Sequence, residues 1–221
     1  SFSFLPTYDV DMAWAYKHKG ILRNAGGCVQ SLLQGKMEGA KERLLVLFGK
    51  KDDPFDAFSW MDQLHKMYGL KPIYFFLLGA KTNHFDKNIS PDRKAYRQLI
   101  IRHAEQYEVN IHPSWQSGDN AAQISKERIK LQNIILKKVL ASRQHFIKFT
   151  LPQTFRQLID AGIREDYSMG YGTINGFRAS LAAPFFGMIW KGNGKQISCC
   201  ILFVLWMPTH FLSKSIQQCK P

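Results

Sequence analysis

The stretch PIYFFLLG, residues 72–79, decides how this chain is expected to fold. Its apolar side chains run without interruption from Ile73 to Leu78, so a strand formed here would be buried on both faces. Strands of this kind are typical of parallel sheets, because the crossover helices of such sheets cover both sides. The stretch therefore predicts a buried parallel strand in an α/β domain.

Strand and helix patterns alternate on both sides of this stretch. Further strands are expected at FSFLPTYD (2–9), VNIHPS (109–114), RQHFIKF (143–149) and DYSMG (166–170). Helices are expected at 20–48 with a break at Gly26 and Gly27, and at 53–69, 90–108, 119–140 and 150–161. Repeated strand and helix units predict a parallel sheet, either a barrel or a doubly wound sheet. A chain of 221 residues is long enough for one such domain.

The charge of the chain is strongly basic. Thirty Lys and Arg against 17 Asp and Glu give a net charge of +13, but no run of five or more Lys or Arg occurs. The aromatic residues follow strand and helix spacing instead of alternating with basic ones, so a nucleic-acid partner is not expected. A basic, non-catalytic binding module remains an alternative.

The cysteines and the ends of the chain bear on its location. Cys28 stands alone, and Cys199, Cys200 and Cys219 lack the spacing of a zinc knuckle or a disulfide framework. No signal peptide opens the chain, which begins directly in a strand, as though an upstream domain were missing. The apolar run from 199 to 207 is too short to span a bilayer. We expect a soluble protein without a transmembrane segment, with a bacterial-type cytoplasmic location favoured over secretion.

Polar side chains gather at the predicted strand ends, which share one face in a parallel barrel. In TYDVD, residues 7–11, the carboxylates of Asp9 and Asp11 fall on the same side of an extended chain. Two carboxylates and two imidazoles on one rim suggest a divalent metal such as zinc. Taken singly, the acids could belong to a turn and the histidines to a loop or the core. The full set is Asp9, Asp11, His112, Ser114, Arg143, His145, Asp166 and Tyr167.

Four motifs together resemble the polysaccharide deacetylases of carbohydrate esterase family four, in a branch with HPS and GFRA motifs. They are TYDVD (7–11), IHPSWQS (111–117), SRQHF (142–146) and DYSMGYGTINGFRAS (166–180), and the resemblance runs from about residue 2 to Phe186. It implies a distorted (β/α) barrel, incomplete at its C-terminus, that holds one divalent metal, usually zinc. It also implies hydrolysis of N-acetyl groups on a polysaccharide or related glycan, the expected substrate. Another C–N amide hydrolase on the same scaffold is an alternative.

The same resemblance implies roles for individual residues. Asp9 corresponds to the catalytic base and Asp11 to a metal ligand, with His112 as a second ligand. Members of the family carry a second histidine one turn after the first, but here Gln116 occupies that position. His145, at the next strand end, is the predicted third ligand.

Three further residues are candidates for the site. Arg143 and Arg178 are predicted to orient the catalytic aspartate or to bind substrate oxygens, and the alternative for Arg178 is plain surface charge. Trp115 could stack on a sugar ring or pack against the protein.

The end of the chain departs from the rest. After Phe186 no Asp or Glu occurs, and the strand and helix rhythm fails. Relatives continue with Trp-Tyr-Asp-Leu, as the resemblance implies. Codons for residues 186–191, when shifted to begin at the last base of the Phe186 codon, can encode Trp-Tyr-Asp-Leu-Glu. We therefore predict a partial deacetylase-like barrel at 1–186 and an atypical, frameshifted tail at 187–221.

Overall fold

The fold is known from a computed structural model. It describes residues 5–80, 82–118, 120–171, 176, 178–180, 184–191 and 195–201, with the backbone alone from 186 onward. Seven strands form one sheet: β1 Thr7–Val10, β2 Ile73–Leu77, β3 Glu108–His112, β4 Ala141–Ser142, β5 Glu165–Asp166, β6 Phe185–Lys191 and β7 Lys195–Ile201. Among the described residues, six α-helices accompany it: α1 Ile21–Leu33, α2 Met37–Leu47, α3 Phe58–Met67, α4 Lys94–Gln106, α5 Ala121–Ile135 and α6 Gln153–Asp160.

The sheet has the strand order β1-β2-β3-β4-β5-β7-β6. The first five strands are parallel and lie side by side in chain order. This order is that of a singly wound sheet, as in a barrel, and differs from the reversal that defines a doubly wound sheet. The predicted α/β class with a parallel sheet is confirmed.

Strand β2 is buried on both faces, as the stretch PIYFFLLG predicts. Tyr74 and Phe76 belong to the main core, which the helices cover. Phe75 lies on the other face in a smaller cluster with Ala141 and Tyr167. Because every residue of β2 is buried, the strand ends on either side of it are held in fixed register.

Three local predictions were wrong. DYSMG (166–170) is not a strand, since β5 is Glu165–Asp166 and only Asp166 of that stretch pairs. The break near Gly26 and Gly27 does not occur, because α1 runs through both glycines and ends before Gly35, whose positive φ of 70° makes the turn into α2. RQHFIKF is not a strand. Only Ala141–Ser142 pairs, and the chain then enters a 3₁₀ turn at His145–Ile147.

The predicted tail begins inside a hairpin. The strands β6 and β7 are antiparallel, and β7 pairs with β5. Residues 192–194 and 202–221 lie outside the described residues, so the frameshift stays a prediction. Within the described part of the chain, no helix is long and apolar enough to cross a membrane.

Candidate metal centre

Asp11, His112 and His145 come together at the carboxyl ends of β1, β3 and β4. The Asp11 carboxylate Oδ1 lies 3.2 Å from His112 Nε2 and 3.7 Å from His145 Nε2. One potential ligand atom from each residue lies within 4.8 Å of the other two. Parallel strands deliver their C-terminal residues to one edge, which is why residues about 130 positions apart in the chain meet here.

Each imidazole is oriented by a hydrogen bond at its other nitrogen. His112 Nδ1 bonds to the backbone carbonyl oxygen of Arg143, and His145 Nδ1 lies 3.0 Å from Asp86 Oδ1. In both rings Nε2 is therefore left facing Asp11. This arrangement fits a divalent metal, since metal-binding histidines usually donate their second nitrogen to a carbonyl or carboxylate. One carboxylate and two imidazoles also leave a position open for water, as catalytic zinc sites do.

The charges of this cluster are coupled. Burial alone would raise the pKa of Asp11, but hydrogen bonds from His112 and His145 outweigh it and hold that pKa well below its ordinary value. Burial likewise opposes protonation of His112, yet the nearby charges of Asp9 and Asp11 raise its pKa. The cluster thus carries negative charge that attracts a cation, either protons on the imidazole or a metal ion.

Asp9 lies beside this cluster and is held by Arg143. Nη1 of Arg143 donates to Asp9 Oδ1 at 3.0 Å, and Nη2 donates to Thr7 Oγ1 at 2.7 Å. Nε donates to the carbonyl of Tyr167 at 3.2 Å, and the guanidinium covers the ring of Phe75 at 4.7 Å. Arg143 is only 2% exposed, so it fixes the carboxylate of Asp9 through a buried ion pair.

Asp86 is the residue of this site that sequence reasoning missed. Its fully buried carboxylate accepts from Trp115 N at 2.8 Å and from Asn83 Nδ2 at 3.1 Å, in addition to its contact with His145. It lies in the loop after β2. No polar candidate was identified from the sequence at the end of that strand. The acid in TNHFD, residues 82–86, is the signal that could have found it.

Asp166 and Ser114, two other polar residues at the strand ends, form hydrogen bonds that hold the segments around the site. Asp166 is buried and accepts hydrogen bonds from Ser142 Oγ at 2.7 Å and from Ser168 N at 2.9 Å. Burial raises its pKa. Ser114 donates from both N and Oγ to the buried carboxylate of Glu127. The hydrogen bonds to Glu127 and Asp166 hold the segments that follow β3 and β4, and so help to fix the positions of His112 and Arg143.

Other predicted residues lie outside the cluster. Arg178 is exposed, with its guanidinium over the ring of Phe149 at 4.6 Å. Trp115 stacks on Phe85 at 4.2 Å and has the ammonium of Lys148 4.4 Å from its ring centroid, so it packs against protein groups. No described contact joins Arg178 to Asp9 or to the three clustered residues.

Structures described as deacetylases are among the solved structures that the comparison matched. A protein assigned as a polysaccharide deacetylase from Mycobacterium smegmatis matches with a TM-score of 0.52 and 13% identity, over 91% of this chain and 58% of that chain. The polysaccharide deacetylase of Bacillus cereus matches at 0.37 and 15% identity, over 51% of this chain and 54% of that chain. A de-N-acetylase from Aggregatibacter actinomycetemcomitans matches at 0.37 and 11% identity, over 74% and 86%.

No protein-family model matches the chain, and no curated protein matches its sequence. The chain spans 58% of the length of the Mycobacterium smegmatis protein. What the two share is the fold.

Proposed function

We propose that this chain is a metal-dependent hydrolase that removes N-acetyl groups from a polysaccharide or related glycan. The observation that carries the proposal is the meeting of Asp11, His112 and His145 beside the paired Asp9 and Arg143. A likeness of fold to a polysaccharide deacetylase adds support, because the strand ends that bear these residues are in the same kind of sheet.

The ligand set favours zinc or a similar ion. Imidazole nitrogens together with one carboxylate are typical of catalytic zinc, and both imidazoles present Nε2 to the same point. Such an ion supplies Lewis acidity, which activates water and polarises a carbonyl oxygen.

Asp9 is the proposed general base. Its carboxylate accepts a proton from the water that attacks the acetamide carbon, which is the role expected of an ionised acid beside the cluster. Arg143 keeps Asp9 oriented through the 3.0 Å contact. Because Arg143 also donates to Thr7 and Tyr167, the position of Asp9 is fixed before substrate arrives.

The test is acetate release from chitooligosaccharides by the purified chain, with its metal content measured in the same preparation. We expect bound metal and released acetate. Metal without acetate would favour another C–N amide hydrolase, and no metal would favour the basic binding module.

Substitution of Asp9 tests the mechanism. Asp9→Asn should retain metal yet lower turnover by about two or more orders of magnitude, because the base is lost. Asp52→Asn, an exposed acid on the surface, is the matched control and should keep full turnover. Near-normal turnover of Asp9→Asn would remove Asp9 from the mechanism.

A further inference from the structure

A cleft lies between α1, α2 and the start of α4. The cleft has a volume of about 890 Å³, enough for a ligand of sugar size or larger. None of the clustered metal-site residues lines it. Its lining combines three cations, Arg43, Arg93 and Lys94, with the apolar side chains of Ile21, Leu44 and Leu47.

Among the described residues, no carboxylate forms an ion pair with Arg43, Arg93 or Lys94. Acids in the neighbouring sequence are already engaged: Glu42 with Lys51, Asp92 with Lys130, and Asp53 with the backbone N–H groups of 15–17. Gathering like charges without counter-charges costs free energy, which a bound anion would recover.

The Arg43 guanidinium is held in place by local structure. The Arg43 guanidinium donates from Nη1 to Asn24 Oδ1 at 3.2 Å, lies over Tyr16 at 4.8 Å and packs on Gly27, where a Cβ would overlap it. Its Nε is buried and has no hydrogen-bond partner among the described residues. Arg93 rests against Gly20, where an added Cβ would come within 3.1 Å of Nη2. Ordered guanidinium groups with a donor left over are typical of oxyanion sites.

The start of α4 adds to the positive potential. Lys94 and Ala95 open this helix and line the cleft, its N-cap makes no side-chain hydrogen bond, and no acid occupies its first turn. Its first backbone N–H groups are therefore available to an anion. Beside the cleft, burial and then the charge of Arg23 lower the pKa of Lys19 to about 8, as expected in a positive environment.

We propose that this cleft binds an organic phosphate. Arg43, Arg93 and Lys94 contact the phosphate, and Ile21, Leu44 and Leu47 contact the apolar part of the ligand. The apolar wall distinguishes such a ligand from a bare ion. Ile21 is 88% exposed, so most of its side-chain surface is accessible for contact with a ligand. The proposal does not depend on the deacetylase activity, since it uses different residues.

The test is calorimetric titration of the full chain at constant ionic strength, with phenyl phosphate and inorganic phosphate as probes. We expect phenyl phosphate to bind at one equivalent and more tightly than inorganic phosphate. Arg93→Gln and Lys94→Gln should each weaken binding about tenfold, because each removes a charge-assisted contact. Arg102→Gln, an exposed arginine on the same helix outside the cleft, is the control and should bind unchanged.

Three results would overturn the proposal. The first is the absence of saturable phenyl phosphate binding, and the second is unchanged affinity in both Arg93→Gln and Lys94→Gln. These two side chains are exposed, so their variants should fold even if Arg43→Gln does not. The third is loss of binding in His112→Ala, which would place the phosphate at the metal centre. Equal affinity for both probes would refute the organic part of the proposal.

Discussion

Replacing Asp86 by Asn tests whether this carboxylate, which was not predicted from the sequence, strengthens metal binding through His145. Asp86 is 0% exposed and its Oδ1 lies 3.0 Å from Nδ1 of His145. An asparagine oxygen can still accept that hydrogen bond, but it lacks the charge that makes the imidazole a stronger ligand. Loss of such an outer partner weakens metal binding by about 10- to 100-fold, or roughly 1.4–2.7 kcal/mol.

The assay is competition for zinc with a chromophoric chelator, with the free energy of unfolding measured separately in metal-free buffer. Asp53→Asn is the matched control, because Asp53 is also a buried acid that accepts backbone N–H groups but touches no histidine. It should lower stability by about 1–3 kcal/mol while changing zinc affinity less than about threefold. A folded Asp86→Asn variant with wild-type affinity would refute the orienting role of Asp86.

Three further outcomes are expected. Arg143→Gln should lower the free energy of unfolding in urea by about 3–5 kcal/mol, because it leaves the carboxylate of Asp9 without its buried partner. A loss under about 1 kcal/mol would contradict this role of the ion pair. Zinc affinity should fall by up to about tenfold per pH unit below the raised pKa of His112, since protons then compete with zinc for Nε2. A zinc affinity that stays constant between about pH 8 and 5.5 would exclude that competition. Resequencing the gene should reveal a shifted frame near Phe186, and a clean frame whose shifted codons cannot give Trp-Tyr-Asp-Leu-Glu would end that hypothesis.

The residues of the site that could be predicted from the sequence are those that lie at strand ends. Asp11 and His112 come at or just after the ends of strands that the sequence predicts, and parallel strands bring their ends to one edge whatever the details of the loops. Their meeting could therefore be anticipated from the sequence, as could the double burial of β2.

What could not be predicted depends on loop conformation. Asp86 reaches His145 only because the loop after β2 folds back over the sheet edge, and no periodic pattern encodes that path. The stretch RQHFIKF predicts a strand, but pairing ends at Ser142, and the positive φ of Phe146 (57°) and Ile147 (53°) does not fit an extended strand at those residues. The cleft beside Arg43 and Arg93 likewise joins residues from separate helices, which sequence spacing alone does not bring together.

The metal content of the purified chain tests the central claim most directly. Elemental analysis after dialysis should find about one divalent ion per chain in the wild type. His112→Ala should lose it, because only Asp11 and His145 would remain as ligands. Asp9→Asn, in the same analysis, should keep it. Full retention of metal by His112→Ala would contradict the proposed centre.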